Sequence, residues 1–263
     1  MFKIKRIFDI TYSATHPEEC KLDLYLPETK VPCPVLIYIH GGGLEAGDRK
    51  SVSVWIEALV SEWGIAVASL DYRMYPNAHF PDFIEDCAEG AAWVINYGRT
   101  NSCFDKYYMG GSSAGGYLTM MLYFAEKYLT KQGISPDELD GYIFDAGQPT
   151  THFNVLRERG IDTRAIRVDD AAPVFYVDKQ IEEPEKKPPI LVLIAENDIT
   201  NRHEQNDMFI GTIINFGFSP SHITKKYMAG FNHCGYIRAQ DSEGKSIFAN
   251  ILGDFINKSN III

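Results

Sequence analysis

Six times from about residue 35 onward, a short and nearly unbroken apolar run interrupts longer stretches of helical spacing: Val35–Ile39, Ile65–Asp71, Tyr107–Met109, Gly141–Phe144, Ile190–Ala195 and Ile223–Met228. A strand that is apolar at consecutive positions buries both of its faces. That is the environment of a parallel sheet covered by helices on each side. The intervening segments supply such helices. Phe83, Cys87, Ala91 and Val94 recur three or four apart within Asp82–Tyr97, and Leu118, Met121, Leu122 and Ala125 do so within Ala114–Lys131. Glu204–Phe216 and Ser246–Ile256 read as two more helices, the second close to the end of the chain. The pattern predicts an α/β fold with a mostly parallel, doubly wound sheet and helices on both faces. Residues 7–12 and 20–26 alternate in character instead and predict an antiparallel pair at one edge.

Residues 146–189 break the rhythm. They carry Arg157, Arg159, Arg164 and Arg167 and then the charged, proline-containing run 182–189, so they predict a helical excursion plus a loop. Placed between two core strands, this is a candidate small lid or acyl-pocket wall. With no repeat and no linker, residues 1–263 read as a single domain.

Composition narrows the function. An apolar fraction of 45% with 23% charged residues is that of a chain with a real core, not a disordered, collagen-like or coiled-coil one. The net charge of −10 repels nucleic-acid phosphates and anionic lipid, so neither is an expected partner. Five scattered cysteines without a C-x-x-C pair predict reduced thiols and neither a disulfide framework nor a zinc knuckle. The first ten residues lack a leader-like apolar segment, and no run approaches the ~20 residues that cross a bilayer. The expectation is a soluble, cytoplasmic protein.

Chemistry concentrates in Tyr107–Gly116, where Gly111-x-Ser113-x-Gly115 falls directly after a strand and before a helix. A serine on so sharp a turn stands above the sheet edge, with small neighbours letting the backbone through and helix N–H groups close by. Ser112 is the rival hydroxyl, but its flanking positions are Gly110 and Ala114, a poorer match. His40-Gly41-Gly42-Gly43 follows the Val35–Ile39 run. Without a following G-K-[ST], this is a weak phosphate loop. Its amides suit the oxyanion of acyl transfer, with Gly42, Gly43 and Ala114 as candidate donors, each worth roughly 3–4 kcal/mol of barrier.

A serine needs a base, and seven histidines are present. His233 lies in a glycine-bounded loop after the last predicted strand, on the edge where strand carboxyl ends gather. His222 precedes a strand and belongs at the opposite edge; His203 is the main competitor. The acid that orients the imidazole is read as Asp198, beyond the end of Ile190–Ala195, with Glu196 and Asp145 as alternatives. The resulting chain order is Ser113, Asp198, His233.

With these residues in view, the chain resembles the α/β-hydrolases, in particular the hormone-sensitive-lipase-like esterases and the small bacterial acetyl and feruloyl esterases. The matching stretches are Leu22–Pro27, Ile39–Gly43 with Gly47-Asp48, Ala68–Arg73, His79–Pro81 with Glu85-Asp86, Gly111–Gly116, and Asn197-Asp198. The resemblance implies a serine carboxylic-ester hydrolase acting on small esters, acetylated sugars or oligosaccharides among them. It implies Ser113, Asp198 and His233 as triad, Gly42, Gly43 and Ala114 as oxyanion donors, a structural Asp71 and Arg73, and no cofactor or metal. The sequence departs from the family where Leu44-Glu45 follow the glycine run and where the histidine loop reads His233-Cys234-Gly235. Both departures bear on substrate preference. An amidase or peptidase of the arylformamidase kind on the same triad, and a non-catalytic binding protein on this scaffold, are the other readings. Trp55, Tyr72, Tyr75, Phe80, Tyr117, Phe153, Phe175, Tyr176 and Tyr236 are the candidate pocket aromatics. Oligomeric state is left open.

Overall fold

The computed structural model describes residues 1–51 and 53–258. Along the chain come strands β1 (Ile4–Thr11), β2 (Lys21–Pro27) and β3 (Cys33–Ile39), helix α1 (Ser53–Trp63), strand β4 (Ala66–Leu70), helix α2 (Asp82–Asn101) and strand β5 (Phe104–Ser112). Helices α3 (Ala114–Phe124) and α4 (Lys127–Lys131), strand β6 (Gly141–Asp145) and helix α5 (Phe153–Glu158) follow. Strand β7 (Ile190–Asn197), helix α6 (Arg202–Asn215), strand β8 (Ile223–Asn232) and helix α7 (Ile247–Lys258) complete the described chain.

The strands form one eight-stranded sheet in the order β1-β2-β4-β3-β5-β6-β7-β8. The pairs β1/β2 and β2/β4 are antiparallel; every pairing from β4 to β8 is parallel. The α/β fold class read from the apolar runs is the one observed, antiparallel edge included. Each face of the sheet carries its own core. On one side Phe83, Leu118, Met121 and Phe209 from α2, α3 and α6 pack against Val35, Ile37 and Val192. On the other, Trp55, Ile56, Leu252 and Phe248 from α1 and α7 cover Leu36, Tyr38 and Leu193. Trp55 meets Tyr38 and Phe248 edge-on at 4.8 and 5.1 Å between ring centres. Each such large side chain contributes about 1.5–3 kcal/mol by leaving water.

Some elements differ from their sequence reading. Helix α1 was not among the predicted helices, although Ile56, Leu59 and Val60 trace a helical stripe and are buried. The stretch 114–131 is two helices: α3 ends at Phe124, and α4 begins only at Lys127. Strand β5 runs three residues past Met109, through Gly110 and Gly111, because pairing with β3 and β6 on both sides carries the backbone on. The 146–189 excursion contains α5 and two 3-10 turns, Pro173–Tyr176 and Pro184–Lys186.

Buried charge fastens the antiparallel edge to the parallel sheet. The Arg49 guanidinium pairs with Asp9 of β1, Asp23 of β2 and Asp71 just after β4. Arg73 forks onto Asp86 of α2 at 2.8 and 2.9 Å. Among the described residues no helix is long and apolar enough to cross a membrane.

Candidate active site

The strand ends decide what meets at the sheet's carboxyl edge. Strand β5 stops at Ser112, helix α3 starts at Ala114, and Ser113 between them sits at φ 57° and ψ −114°. Holding a residue with a Cβ in that region costs of order 1–3 kcal/mol. The turn is held by the Ser113 N–H, which donates to the carbonyl of Asp145 at the end of β6 (2.7 Å). It also depends on Gly115, where a Cβ would collide with the Ile39 carbonyl oxygen. The small residues around the serine are therefore required by close backbone approach.

Two loops from neighbouring strands reach this turn. His233 follows β8 and Asp198 follows β7. His233 Nε2 lies 2.8 Å from Ser113 Oγ, and its Nδ1 lies 2.6 Å from Asp198 Oδ1. The Asp198 side chain is fully enclosed, whereas that of His233 keeps 24% of its surface open. Burial alone would raise the pKa of Asp198. The His233 hydrogen bond and charge, with the amides of Ile199 (2.7 Å) and Ala195 (3.2 Å), outweigh it and hold the carboxyl below its ordinary value. An ionised acid, an imidazole and a hydroxyl thus stand in line, the arrangement that lets a serine be deprotonated as it attacks.

The competing residues are placed elsewhere or occupied. Ser112 Oγ accepts from the Tyr38 hydroxyl (2.7 Å) and donates to Asp145 beneath the sheet edge. Glu196 accepts the Gly230 amide (2.7 Å) and braces the end of β8. His203 lies 3.3 Å from the Glu196 carbonyl, and His222 sits before β8, 2.8 Å from the Lys187 carbonyl. His40 is buried, stacked on Tyr72 at 4.5 Å, with Nδ1–H donating to Gly41 O (2.6 Å).

The glycine loop lies directly against the serine: a Cβ on Gly41 would stand 3.1 Å from that of Ser113. The Gly41 carbonyl is taken by His40, and that of Gly42 by the amides of Glu45 (3.2 Å) and Ala46 (3.0 Å). A trans peptide points its N–H away from its C=O, so the amides of Gly42 and Gly43 emerge on the opposite side from these bonds. Gly42 has φ 117° and Gly43 φ 68°, conformations that favour glycine. The Ala114 N–H, at the first turn of α3, has no intrahelical acceptor.

Asp145, which sequence reading offers only as an alternative acid, has a different position. It is fully buried below Ser113 and accepts hydrogen bonds from Ser112 and Tyr236. Burial pushes its pKa up to about 6; those two hydrogen bonds and the His233 charge oppose the rise, and Asp198 adds to it. An acid held above its unfolded value binds more protons folded than unfolded between about pH 4 and 6. Its contribution to stability therefore declines as pH rises through that window, by about 3 kcal/mol in all. Denaturant titrations of the wild type and Asp145→Asn should diverge by that amount in the variant's favour from pH 4 to 6. Parallel curves contradict the reading.

Of the candidate pocket aromatics, Trp55, Tyr72, Tyr117 and Tyr236 are enclosed in the core and unavailable to a substrate. Phe153 is available: it lies 3.5 Å from where a Gly43 Cβ would be, and its neighbour Asn154 donates to the Gly43 carbonyl. Helix α5 of the 146–189 segment thus rests on the glycine loop, and Arg157 pairs there with Glu45 at 2.6 Å. Cavities of about 590 and 690 Å³ open elsewhere, one beside Cys33 and Phe104, the other beside Phe124 and Tyr176; neither is lined by Ser113, Asp198 or His233. Among the described residues no three His, Cys, Asp or Glu side chains gather so as to hold a metal ion.

Comparison with solved structures extends over nearly the whole chain. A truncated form of a carbohydrate esterase from gut microbiota superposes with a TM-score of 0.75 at 20% identity, covering 98% of this chain and 96% of that one. An esterase of Pyrobaculum calidifontis gives 0.74 at 19% identity, covering 98% and 86%. The chain has the α/β-hydrolase fold. Residues 22–132 of this chain match the family model BD-FAE. Bovine hormone-sensitive lipase is 32% identical over 85 residues, 32% of this chain and 11% of the lipase. A probable isoprenylcysteine alpha-carbonyl methylesterase of Arabidopsis thaliana is 34% identical over 137 residues, 51% of this chain and 28% of the relative. The match thus spans well under half the length of these curated relatives.

Proposed function

We propose that this α/β-hydrolase cleaves small carboxylic esters through an acyl-enzyme formed on Ser113. The observation that carries the reading is the continuous contact from Asp198 through His233 to Ser113, at 2.6 and 2.8 Å. Ser113 Oγ attacks the ester carbonyl as His233 takes its proton; Asp198 holds the ring and stabilises its charge. The amides of Gly42, Gly43 and Ala114 receive the oxyanion. His233 returns the proton to the departing alcohol. A water then attacks the acyl group with His233 again as base, releasing the acid and restoring Ser113. No metal or organic cofactor takes part.

Among esters, acetyl groups on sugars or oligosaccharides are the proposed class, supported by the neighbour titled a carbohydrate esterase. The proposed setting is a reducing cytoplasm, in keeping with five cysteines that are all unpaired. Neither nucleic acid nor a membrane is a proposed partner. The 146–189 segment serves as one wall of the substrate pocket within a single domain. The test is a panel of acetyl, butyryl and feruloyl esters, on sugars and on simple phenols, run beside matched amides. Acetyl and butyryl esters should be turned over at least tenfold faster than the amides. Absence of ester turnover, or faster amide cleavage, overturns the proposal.

A further inference from the structure

Arg202 opens α6, four residues after Asp198. Its side chain is buried, the residue being only 4% exposed. The other buried guanidinium among the described residues is paired: Arg49, at 6% exposure, meets three carboxylates. Among the described residues Arg202 has neither a carboxylate within 4.0 Å nor an acceptor for any side-chain N–H. Burial weighs against its charge, and the opposing attraction comes from Asp198, beyond ion-pair distance, and does not fully offset it. Its nitrogens are not sealed, however. The side-chain atoms cut off from both solvent and partner are Asp23 Oδ2, His40 Nε2, Trp55 Nε1 and Asn206 Oδ1, with none from Arg202. The guanidinium therefore keeps a small contact with solvent.

Arg202 lies within electrostatic reach of Asp198 and of Cys234, the residue next to His233. The first turns of α6 are tied to the segment leaving β6, by Asn206 donating to Gly147 O (3.0 Å) and Thr150 donating to Gln205 Oε1 (3.2 Å). The same segment continues to His152, whose ring stacks on Phe153 at 4.3 Å, and to Asn154 on the Gly43 carbonyl. His152 is buried and accepts the Asn154 amide on Nδ1 (3.2 Å), which places the proton of the neutral ring on Nε2. Among the described residues that N–H also lacks an acceptor. Burial, the nearby Arg202 charge and then Arg157 push the His152 pKa down to about 3, so the ring is neutral. A donor-only fork and a second unpaired donor thus lie near each other, between the loop that carries Asp198 and the segment resting on the glycine loop.

We propose that Arg202, with the Nε2–H of His152, forms a subsite for a carboxylate carried by the ester substrate. A guanidinium presents five donors and no acceptor, in a fork that matches the two oxygens of a carboxylate. The inference rests on the ester-hydrolase reading of Ser113, and the test separates the two.

Hydrolysis is followed by pH-stat at pH 7 on two matched pairs: monoethyl succinate against ethyl butyrate, which puts the charge on the acyl side, and O-acetylglycolate against ethyl acetate, which puts it on the alcohol side. The wild type should favour the charged member of one pair by roughly 10- to 100-fold in kcat/KM, the scale of a charged hydrogen bond. Arg202→Gln should bring that ratio close to one, and Arg202→Lys should keep part of it. A merely structural arginine would lower both members alike, so an unchanged ratio in Arg202→Gln overturns the proposal. So does a wild type without preference in either pair. If Arg202→Gln does not fold, the wild type decides: competitive inhibition by succinate but not succinamide supports the subsite, and no inhibition by succinate overturns it. Failure to hydrolyse even the neutral esters would instead strike the reading of Ser113.

Discussion

Ser113→Gly is expected to stabilise the protein by about 1–2 kcal/mol while lowering kcat on a neutral ester by roughly 10⁶-fold. Both effects follow from one residue. Its φ of 57° with ψ −114° strains any side chain, and glycine releases that strain. The same substitution removes the hydroxyl that His233 touches, at 2.8 Å. Ser113→Ala should be equally inactive without the gain in stability, since its Cβ retains the strain. Thermal unfolding of the three proteins, with turnover of p-nitrophenyl acetate, checks the pair. The Gly variant should melt about 2–8 °C above wild type for a chain of this size. Turnover within tenfold of wild type in either variant would contradict the assignment.

Asp198→Asn should lower kcat by about 10⁴-fold with little change in KM. The carboxylate uses both oxygens as acceptors: Oδ1 from His233 and Ile199 N–H, Oδ2 from Ala195 N–H. An amide of the same shape must set its NH₂ against one of those donors. If it keeps its oxygen toward His233, it forfeits the charge that stabilises the imidazolium. If it turns the NH₂ toward His233, it imposes the wrong ring tautomer. Steady-state kinetics separate the outcomes: a fall in kcat alone is expected, and a loss below tenfold contradicts the role.

What could be read from the chain alone follows from how local each signal is. The strands β3 to β7 are legible because burial of both faces leaves an unbroken apolar run, as in Ile190–Ala195. The candidate nucleophile is legible because close backbone approach dictates its neighbours: Gly115 faces the Ile39 carbonyl, and that demand is written into the sequence. His233 and Asp198 can be named because each lies just past a strand, and the coordinates bring both within hydrogen-bond reach of one another. Helix α1 is harder to see: it is short, follows a glycine-rich loop and packs mainly through Trp55, Ile56, Leu59 and Val60. The break between α3 and α4 escapes notice because the apolar spacing continues across Ala125. The surroundings of Asp145, offered by the sequence only as an alternative acid, and of Arg202 are not legible in the sequence, since what sets these residues apart is what surrounds them. One acid is buried beneath the serine turn, and one guanidinium lacks an acceptor among the described residues. Only folding brings such surroundings together. The buried aromatics make the same point, because Tyr236 and Tyr117 are unremarkable in sequence and are committed to the core in space.

The most direct measurement of whether Ser113 is an activated nucleophile is covalent labelling with a fluorophosphonate, followed by peptide mass mapping. One adduct per chain, on Ser113, is predicted for the wild type, with labelling greatly slowed in His233→Ala. Absence of an adduct on the folded wild type, or an adduct on Ser112 in place of Ser113, would contradict the account.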